Sequence, residues 1–552
     1  MADIVLVQPP IKDFYLTAKR TVPYGLACIA SPLLQEGFSV EIVDALASKK
    51  SKRAELPPEL DYLRDLYAGP DMSPFCLFHD FRRFGRAFES IGQSVGESGP
   101  FLVGVSSLFS AYSAEAIETA KAIRARRPEA VIVFGGHHPT EMPEEVLGHE
   151  CVDFIIRGEG EAAMVLLAQA IRGKGAIEAV PGIGFKTSGG RFFVTPPAVL
   201  ADLDEVPLPA VELIDNGFYG RGRGASAVVA AGRGCPLGCS YCSIGCSSWC
   251  GFRMKSAPRL MEEIRAAVLG GGARFIDFED ENISFRKEWF LGVLAQIEAE
   301  FGGCGLELRA MNGLYPPSLD EEVIYAMKKA GFTALNLSLC TTDRKQLKKF
   351  GRPDVREGFE RALFFGATFG LDAVAYIIVG APGQDPMASV ADLIYLADKN
   401  AIAGVSVFYP APGSLDFTRC EALGIIPEPL SLFRSTALPI SDTTTRQDSV
   451  TLLRLGRILN FCKSLGAAER QEVLGQAKVA TQGVPKRIPV GDGAGDGKSH
   501  GERRREMGKI LLGIFLRDGA VCGVSPQGRV FCHSVSDSLC QAFRNGLLRV
   551  FA

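Results

Sequence analysis

Across the first 200 residues, short apolar runs alternate with amphipathic stretches of helical spacing. The apolar runs fall at 4–7, 26–34, 40–43, 102–105, 131–134 and 154–156, with helical patterns at 114–126 and 162–171. This rhythm predicts an α/β, doubly wound (Rossmann-like) domain over residues 1–200, with five strands and their crossovers. Such sheets take ligands beyond the carboxyl ends of their strands. The loops falling there are Gln8-Pro9-Pro10, Ser106-Ser107-Leu108 and Gly135-Gly136-His137-His138, and none is a G-x-G-x-x-G dinucleotide loop. A long insertion at 47–100 ends in a stretch where Phe81, Phe84, Phe88 and Ile91 have helical spacing, either a ligand cap or a helix on the sheet edge.

After a proline-rich connector at 206–210 the alternation resumes. Strands are expected at 227–230, 274–278, 306–310, 334–339, 373–379 and 404–408, a partial (β/α)6 barrel over 222–425. Ser256 is the expected N-cap of a helix over 258–269 that ends at Gly270-Gly271-Gly272. Helical patterns at 450–462 and 467–478 predict a helical subdomain over 426–490. Glycine, charge and small polar residues at 491–505 read as a flexible linker. Beyond it, 508–552 reads as a small α+β tail with strands at 509–516, 520–524 and 529–533, then a helix. Its Cys522, Cys532, Cys540 and His533 lack regular metal-ligand spacing and read as packing groups.

Composition narrows the class. The 552 residues are 47% apolar and 22% charged with a net charge of -3, an ordinary globular balance that gives no reason to expect nucleic acid or an anionic membrane as partner. The amino terminus has neither a basic region nor a long apolar stretch, so a signal peptide or transmembrane segment is not expected and a cytoplasmic location is. The fifteen cysteines are unpaired in spacing outside one central loop, which suits a reducing compartment.

That loop, Gly232-Arg-Gly-Cys-Pro-Leu-Gly-Cys-Ser-Tyr-Cys-Ser, holds Cys235, Cys239 and Cys242 at C-x-x-x-C-x-x-C spacing, with Gly234, Pro236 and Gly238 to curl the backbone. Three thiolates can hold three corners of an iron–sulfur cluster and leave the fourth open. Spacing alone also admits a zinc ion completed by Cys246 or Cys250, or buried inert thiols.

The motif, with Tyr241 just before its last cysteine, resembles the radical SAM enzymes. That resemblance implies a 4Fe-4S cluster whose open iron chelates S-adenosylmethionine, reductive cleavage to a 5'-deoxyadenosyl radical, and an electron donor such as flavodoxin or ferredoxin. Tyr241 would lie beside the adenine. Glu279 or Asp280, in the acidic run after the second barrel strand, would meet the amino group. Asn312 after the third strand, and Gly380 and Gly383 in the Gly-Ala-Pro-Gly loop after the fifth, complete the expected contacts. Many relatives carry a glutamate near the ribose after the fourth strand. This chain has Leu337-Ser-Leu-Cys-Thr-Thr342, so Ser338 or Thr341 would supply a neutral hydrogen bond, with Cys340 an apolar filler.

The N-terminal loops resemble the cobalamin-binding domain of one large radical SAM subfamily. Ser106, Ser107 and Leu108 match its S-x-L element, and Gly135 and Gly136 its glycine pair. Pro9, Pro10, Tyr24, Gly25, His137 and the Glu159 of Arg157-Gly-Glu-Gly-Glu161 are placed with them. The D-x-H-x-x-G element of other cobalamin proteins is missing: Asp44 is followed by Ala-Leu-Ala-Ser-Lys-Lys, so no histidine reaches cobalt from that loop. Neither His137 nor His138 is expected to bond cobalt directly. The resemblance implies methyl transfer to an unactivated carbon or phosphorus of a small-molecule or lipid substrate. Radical rearrangement or oxidative cyclisation, and a corrinoid or redox sensor without turnover, are the alternatives.

Overall fold

The computed structural model describes residues 1–16, 22–67, 69–215, 217–220, 224–246, 249, 251–478, 485–490 and 499–551. The five expected N-terminal strands form: β1 (Ile4–Gln8), β2 (Val40–Asp44), β3 (Leu102–Ser106), β4 (Val131–Gly135) and β5 (Phe154–Ile156). Two more, β6 (Ile183–Lys186) and β7 (Phe192–Val194), extend the edge antiparallel. The sheet order is β7-β6-β5-β4-β3-β1-β2, so the order reverses between β1 and β3, where open α/β sheets bind ligands. Alternation along the strands serves both helix layers. Val5, Val7, Val103, Val105, Ile132 and Phe134 are buried in one, and Ile4, Leu6, Leu102 and Val133 in the other.

The second alternation forms β8 (Ala225–Val229), β9 (Ala273–Phe278), β10 (Glu307–Ala310), β11 (Ala334–Cys340), β12 (Asp372–Val379) and β13 (Ile402–Val407). They make two three-stranded parallel sheets, β8-β9-β10 and β11-β12-β13, joined by single bridges at Leu308–Phe332 and Leu314–Leu337. Among the described residues the barrel is not closed. Leu335, Leu337 and Leu339 pack into the surrounding helices, so Asn336, Ser338 and Cys340 take the inner face. Ser256 does cap its helix, accepting from the Arg259 N–H at 3.3 Å.

Two readings are corrected. Residues 80–91 are not one helix: Arg82–Phe84 is a strand pairing with Ile11–Asp13 and Ser51–Arg53, and the helix starts at Phe88. Gly85 divides them, at φ +101 with its backbone against the Ala45 carbonyl. The insertion is also more than a sheet-edge element, because Leu60, Leu63, Tyr67, Leu77 and Phe81 share a core with Ala437, Leu438 and Val450 beyond the barrel. In the tail, 509–516 is no strand and 500–505 no linker. Both belong to one helix, His500–Asp518, started by a Ser499/Glu502 capping box and stopped by Gly519 at φ +76. The rest of the expected linker, 491–498, lies outside the described residues. No helix among the described residues is long and apolar enough to cross a membrane.

The strands expected at 520–524 and 529–533 do form and pair as a hairpin, Cys522–Val524 against Val530–Cys532. The His533 N–H donates to the Val521 carbonyl, which makes Cys522 and Cys532 a non-hydrogen-bonded cross-strand pair, the closer kind; their sulfurs are 3.2 Å apart. Diamide is therefore expected to bridge them, read by intact mass as a loss of two hydrogens that dithiothreitol reverses and Cys532→Ser prevents. Two alkylatable thiols persisting at these positions would contradict the expectation.

Candidate functional site

The cysteine loop leaves the carboxyl end of β8 and returns to it. Its neck is a short antiparallel ribbon, Gly232–Arg233 against Arg253–Met254. Asp280, beyond β9, accepts the Ala231 and Gly232 N–H groups at 2.9 and 2.6 Å. Burial lifts its pKa to about 7 against those hydrogen bonds. Asp280 therefore pins the loop's entry, with both oxygens engaged by backbone instead of free for a ligand.

Each of the three sulfurs meets an N–H donor. The Leu237 backbone bonds Cys235, and Ile244 and Gly245 bond Cys242. Arg352 reaches the buried Cys239 Sγ at 3.5 Å. Burial chiefly, and then the neighbouring thiols, raise Cys235 to about 11. Among the described residues no three metal-ligating side chains converge on a single-ion site. Thiols gathered in one loop and each supplied with an N–H are suited to a cluster, whose sulfurs are stabilised by such donors. The Cys246 side chain and Cys250 lie outside what is described.

Arg352 is the residue that sequence reasoning missed. Almost buried, it also donates to the Tyr241 hydroxyl at 3.2 Å and to the Ser338 carbonyl and Oγ at 2.9 and 3.0 Å. It thus binds the cysteine loop to the end of β11, where Ser338 and Cys340 stand. Cys340 is buried at φ +71, a strained conformation for a residue with a side chain. Thr341 is removed from the ribose reading, since its hydroxyl donates to Asp392 at 2.7 Å. Asn312 Nδ2 donates to the Glu279 carbonyl at 2.8 Å, drawing those two ends together. Gly380 and Gly383 have φ of +77 and +67, where glycine is favoured, and a side chain at Gly380 would also meet Pro439, so the fold itself accounts for glycine at both. Below this shelf the Tyr376 hydroxyl donates to Asn336 at 3.2 Å and Arg309 forks onto Asp277, giving the lumen a polar floor.

On the facing domain, Pro9 and Pro10 are buried at the end of β1, and Ser106, Ser107 and Leu108 follow β3. Ser107 Oγ is buried with no hydrogen-bond partner among the described residues, beside the switch point. The glycine pair divides its labour. Gly136, at φ +122, would drive a Cβ into the Ser107 carbonyl at 2.5 Å, so it serves the approach of the two loops. Gly135 has nothing nearer than 4.0 Å and presents bare backbone to open space. His137 is exposed yet ringed by protein, which lowers its pKa by desolvation. His138 is buried and engaged by Ser110 and Glu145 at 3.0 and 2.9 Å. A buried hydroxyl after β3 and a bare glycine at the end of the neighbouring β4 fit the tail of a large nucleotide-bearing ligand such as cobalamin.

Three residues grouped with these loops lie elsewhere. Gly25 is exposed in the first helix, and Tyr24 donates to Glu263 at 2.7 Å and accepts the Ala230 N–H at 3.3 Å, tying that helix to the barrel. Glu159 accepts two hydrogen bonds from Arg253, at 2.7 and 3.0 Å, and lies 3.4 Å from Arg233, which also pairs with Glu161. Burial opposes the charge on Glu159, but the Arg253 hydrogen bonds and Arg233 outweigh it and hold its pKa below the usual glutamate range.

Comparison with known proteins agrees with this geometry. The B12 binding domain family matches residues 76–168 and the Radical SAM superfamily residues 229–393. The chain is 25% identical to the uncharacterized methyltransferase PH0819 of Pyrococcus horikoshii, over 69% of this chain and 74% of that protein. It is 28% identical to the hopanoid C-3 methylase of Methylococcus capsulatus, over 72% and 68%. It is also 28% identical to the anaerobic magnesium-protoporphyrin IX monomethyl ester cyclase of Synechocystis, over 62% of each. The solved structure of the radical S-adenosylmethionine methyltransferase TsrM from Kitasatospora setae shares the fold, with a TM-score of 0.56 at 18% identity over 79% of this chain and 82% of that one. With a B12 binding domain set before a radical SAM domain, and loops suited to both cofactors, the protein is a cobalamin-dependent radical SAM enzyme that uses a 4Fe-4S cluster, S-adenosylmethionine and cobalamin.

Proposed function

We propose that this enzyme methylates an unactivated carbon or a phosphorus centre of a small-molecule or lipid substrate. The observation that carries the reading is the fastening of the cysteine-loop end of the barrel to the loop end of the N-terminal sheet, which supports a substrate held between the corrinoid loops and the cluster loop. Arg434, beyond the barrel, donates to the Lys12 and Ala111 carbonyls at 2.6 and 2.7 Å, and Glu141, at the end of the short helix after β4, packs on Gly413 after β13. When bound, the cofactors supply hydrogen-atom abstraction and a methyl group.

The protein's part is to hold and to exclude. Cys235, Cys239 and Cys242 would hold the cluster, while Asp280 and Arg352 keep their loop still. Tyr241, Glu279, Asn312 and Ser338 border the expected S-adenosylmethionine site, and Ser107 and Gly135 the corrinoid tail. Leu108 and Phe109, half exposed beside Ser107, suit a substrate with an apolar body. The methylase relative supports methyl transfer. The cyclase relative, at the same identity, supports the rival reading of a radical reaction without methylation.

Reconstituted protein given methyl-deuterated S-adenosylmethionine, a low-potential reductant and a metabolite extract separates the two. Methyl transfer predicts 5'-deoxyadenosine and S-adenosylhomocysteine together, with the heavy methyl in one extract compound. A product without label, formed with 5'-deoxyadenosine alone, would favour rearrangement or cyclisation. Absence of both nucleoside products would refute turnover.

A further inference from the structure

Glu159 and Glu161 follow β5 at the loop end of the cobalamin-binding sheet, yet their carboxylates do not point into that sheet's own site. They cross to the barrel and take hold of two arginines. The arginines are not arbitrary ones: Arg233 and Arg253 are the directly opposed residues of the ribbon through which the cysteine loop leaves and re-enters the barrel. Arg233 stands two positions before Cys235.

A two-stranded ribbon this short is marginal by itself, and like charges directly opposite one another drive it apart. The neck of the cluster loop therefore carries a built-in repulsion. Glu159 lies against both guanidinium groups, 2.7 Å from Arg253 and 3.4 Å from Arg233, and Glu161 pairs with Arg233 as well. Both carboxylates are nearly buried, with 6% of each side chain exposed, so the attraction is poorly screened. The acidic run is itself held rigid. Gly158 has φ +79 and its backbone lies against Ala198, where a side chain would meet the carbonyl at 2.3 Å. The Glu159 N–H donates to that same Ala198 carbonyl at 2.9 Å.

We propose that Glu159 and Glu161 are positioning residues for the cluster, closing the neck of its loop from the cobalamin-binding domain so that docking of that domain sets where the cluster sits. The clamp couples the two cofactor sites without either carboxylate touching a cofactor. It rests on the cofactor assignment and not on methyl transfer, and its readouts need no substrate.

The test compares the full-length protein, reconstituted with iron, sulfide and cobalamin, with its Glu159→Gln/Glu161→Gln variant. Iron release to a chelator is expected to quicken on the order of tenfold while a full equivalent of cobalamin is retained, because each arginine loses its counter-charge in a buried setting. The paramagnetic resonance signal of the reduced cluster that remains is expected to change in shape; a clamp that merely stabilised the domains would lower only its amplitude. Loss of cobalamin with iron release unchanged would instead make Glu159 a corrinoid contact and overturn the proposal, as would no change in either. Should the double variant fail to fold by circular dichroism, the exchanged pair Glu161→Arg/Arg233→Glu decides. It is expected to retain iron better than Arg233→Glu alone, and failure to do so overturns the proposal.

Discussion

Replacing Cys235, Cys239 and Cys242 together by alanine is expected to abolish the iron–sulfur absorbance and all release of 5'-deoxyadenosine from S-adenosylmethionine. The effect should be complete and not graded. The three sulfurs sit in one loop that is pinned at its entry by Asp280 and crossed by Arg352, and each has its own N–H donor. No other described thiol is in that loop's embrace; Cys340, its nearest rival, is buried against Tyr241 and pushed up to about 12 by that burial, so it is a poor substitute thiolate. Cys246→Ala and Cys250→Ala are expected to leave iron content and adenosine release intact. Iron and sulfide at wild-type stoichiometry in the triple variant would reject the assignment. Circular dichroism should remain that of the folded protein, since the barrel core of Leu335, Leu337, Leu339 and their neighbours does not depend on the loop.

The second large effect is expected at Gly135. A tryptophan there should remove cobalamin and leave the cluster. Its Cβ would meet nothing nearer than the Ile156 carbonyl at 4.0 Å, so the side chain leaves the backbone without a clash and its bulk is carried toward the expected ligand. Overpacking a filled site costs about 1–3 kcal/mol, and more where a ligand must touch backbone. Gly136 is the instructive control. A side chain at that position meets the Ser107 carbonyl and an unfavourable φ, so Gly136→Ala should lower thermal stability through the two loops. Gel filtration of the Gly135→Trp variant after reconstitution checks the point: a full equivalent of co-eluting cobalamin would mean that the corrinoid tail does not pass over this strand end, and slow uncoupled 5'-deoxyadenosine formation should persist throughout.

Much of this protein is legible without its structure because the governing signals are local. The strands β1 to β5 and β8 to β13 announce themselves as apolar runs, and the cluster cysteines fall within eight residues of one another, from Cys235 to Cys242. The Ser499/Glu502 box and Gly519 were also there to be read as helix ends, but an apolar run at 510–516 is as compatible with a buried strand as with a helix until the caps are weighed. What tertiary structure alone decided is which distant groups meet. Arg352 comes to Cys239 from 113 residues away, and Arg253 to Glu159 from 94. The acidic run after β5 reads as a ligand loop from the sequence because it resembles loops of the cobalamin-binding subfamily. The docking of the second domain turned it toward arginines instead, since buried carboxylates and guanidinium groups must find one another once water is excluded, and no periodicity along the chain records that pairing.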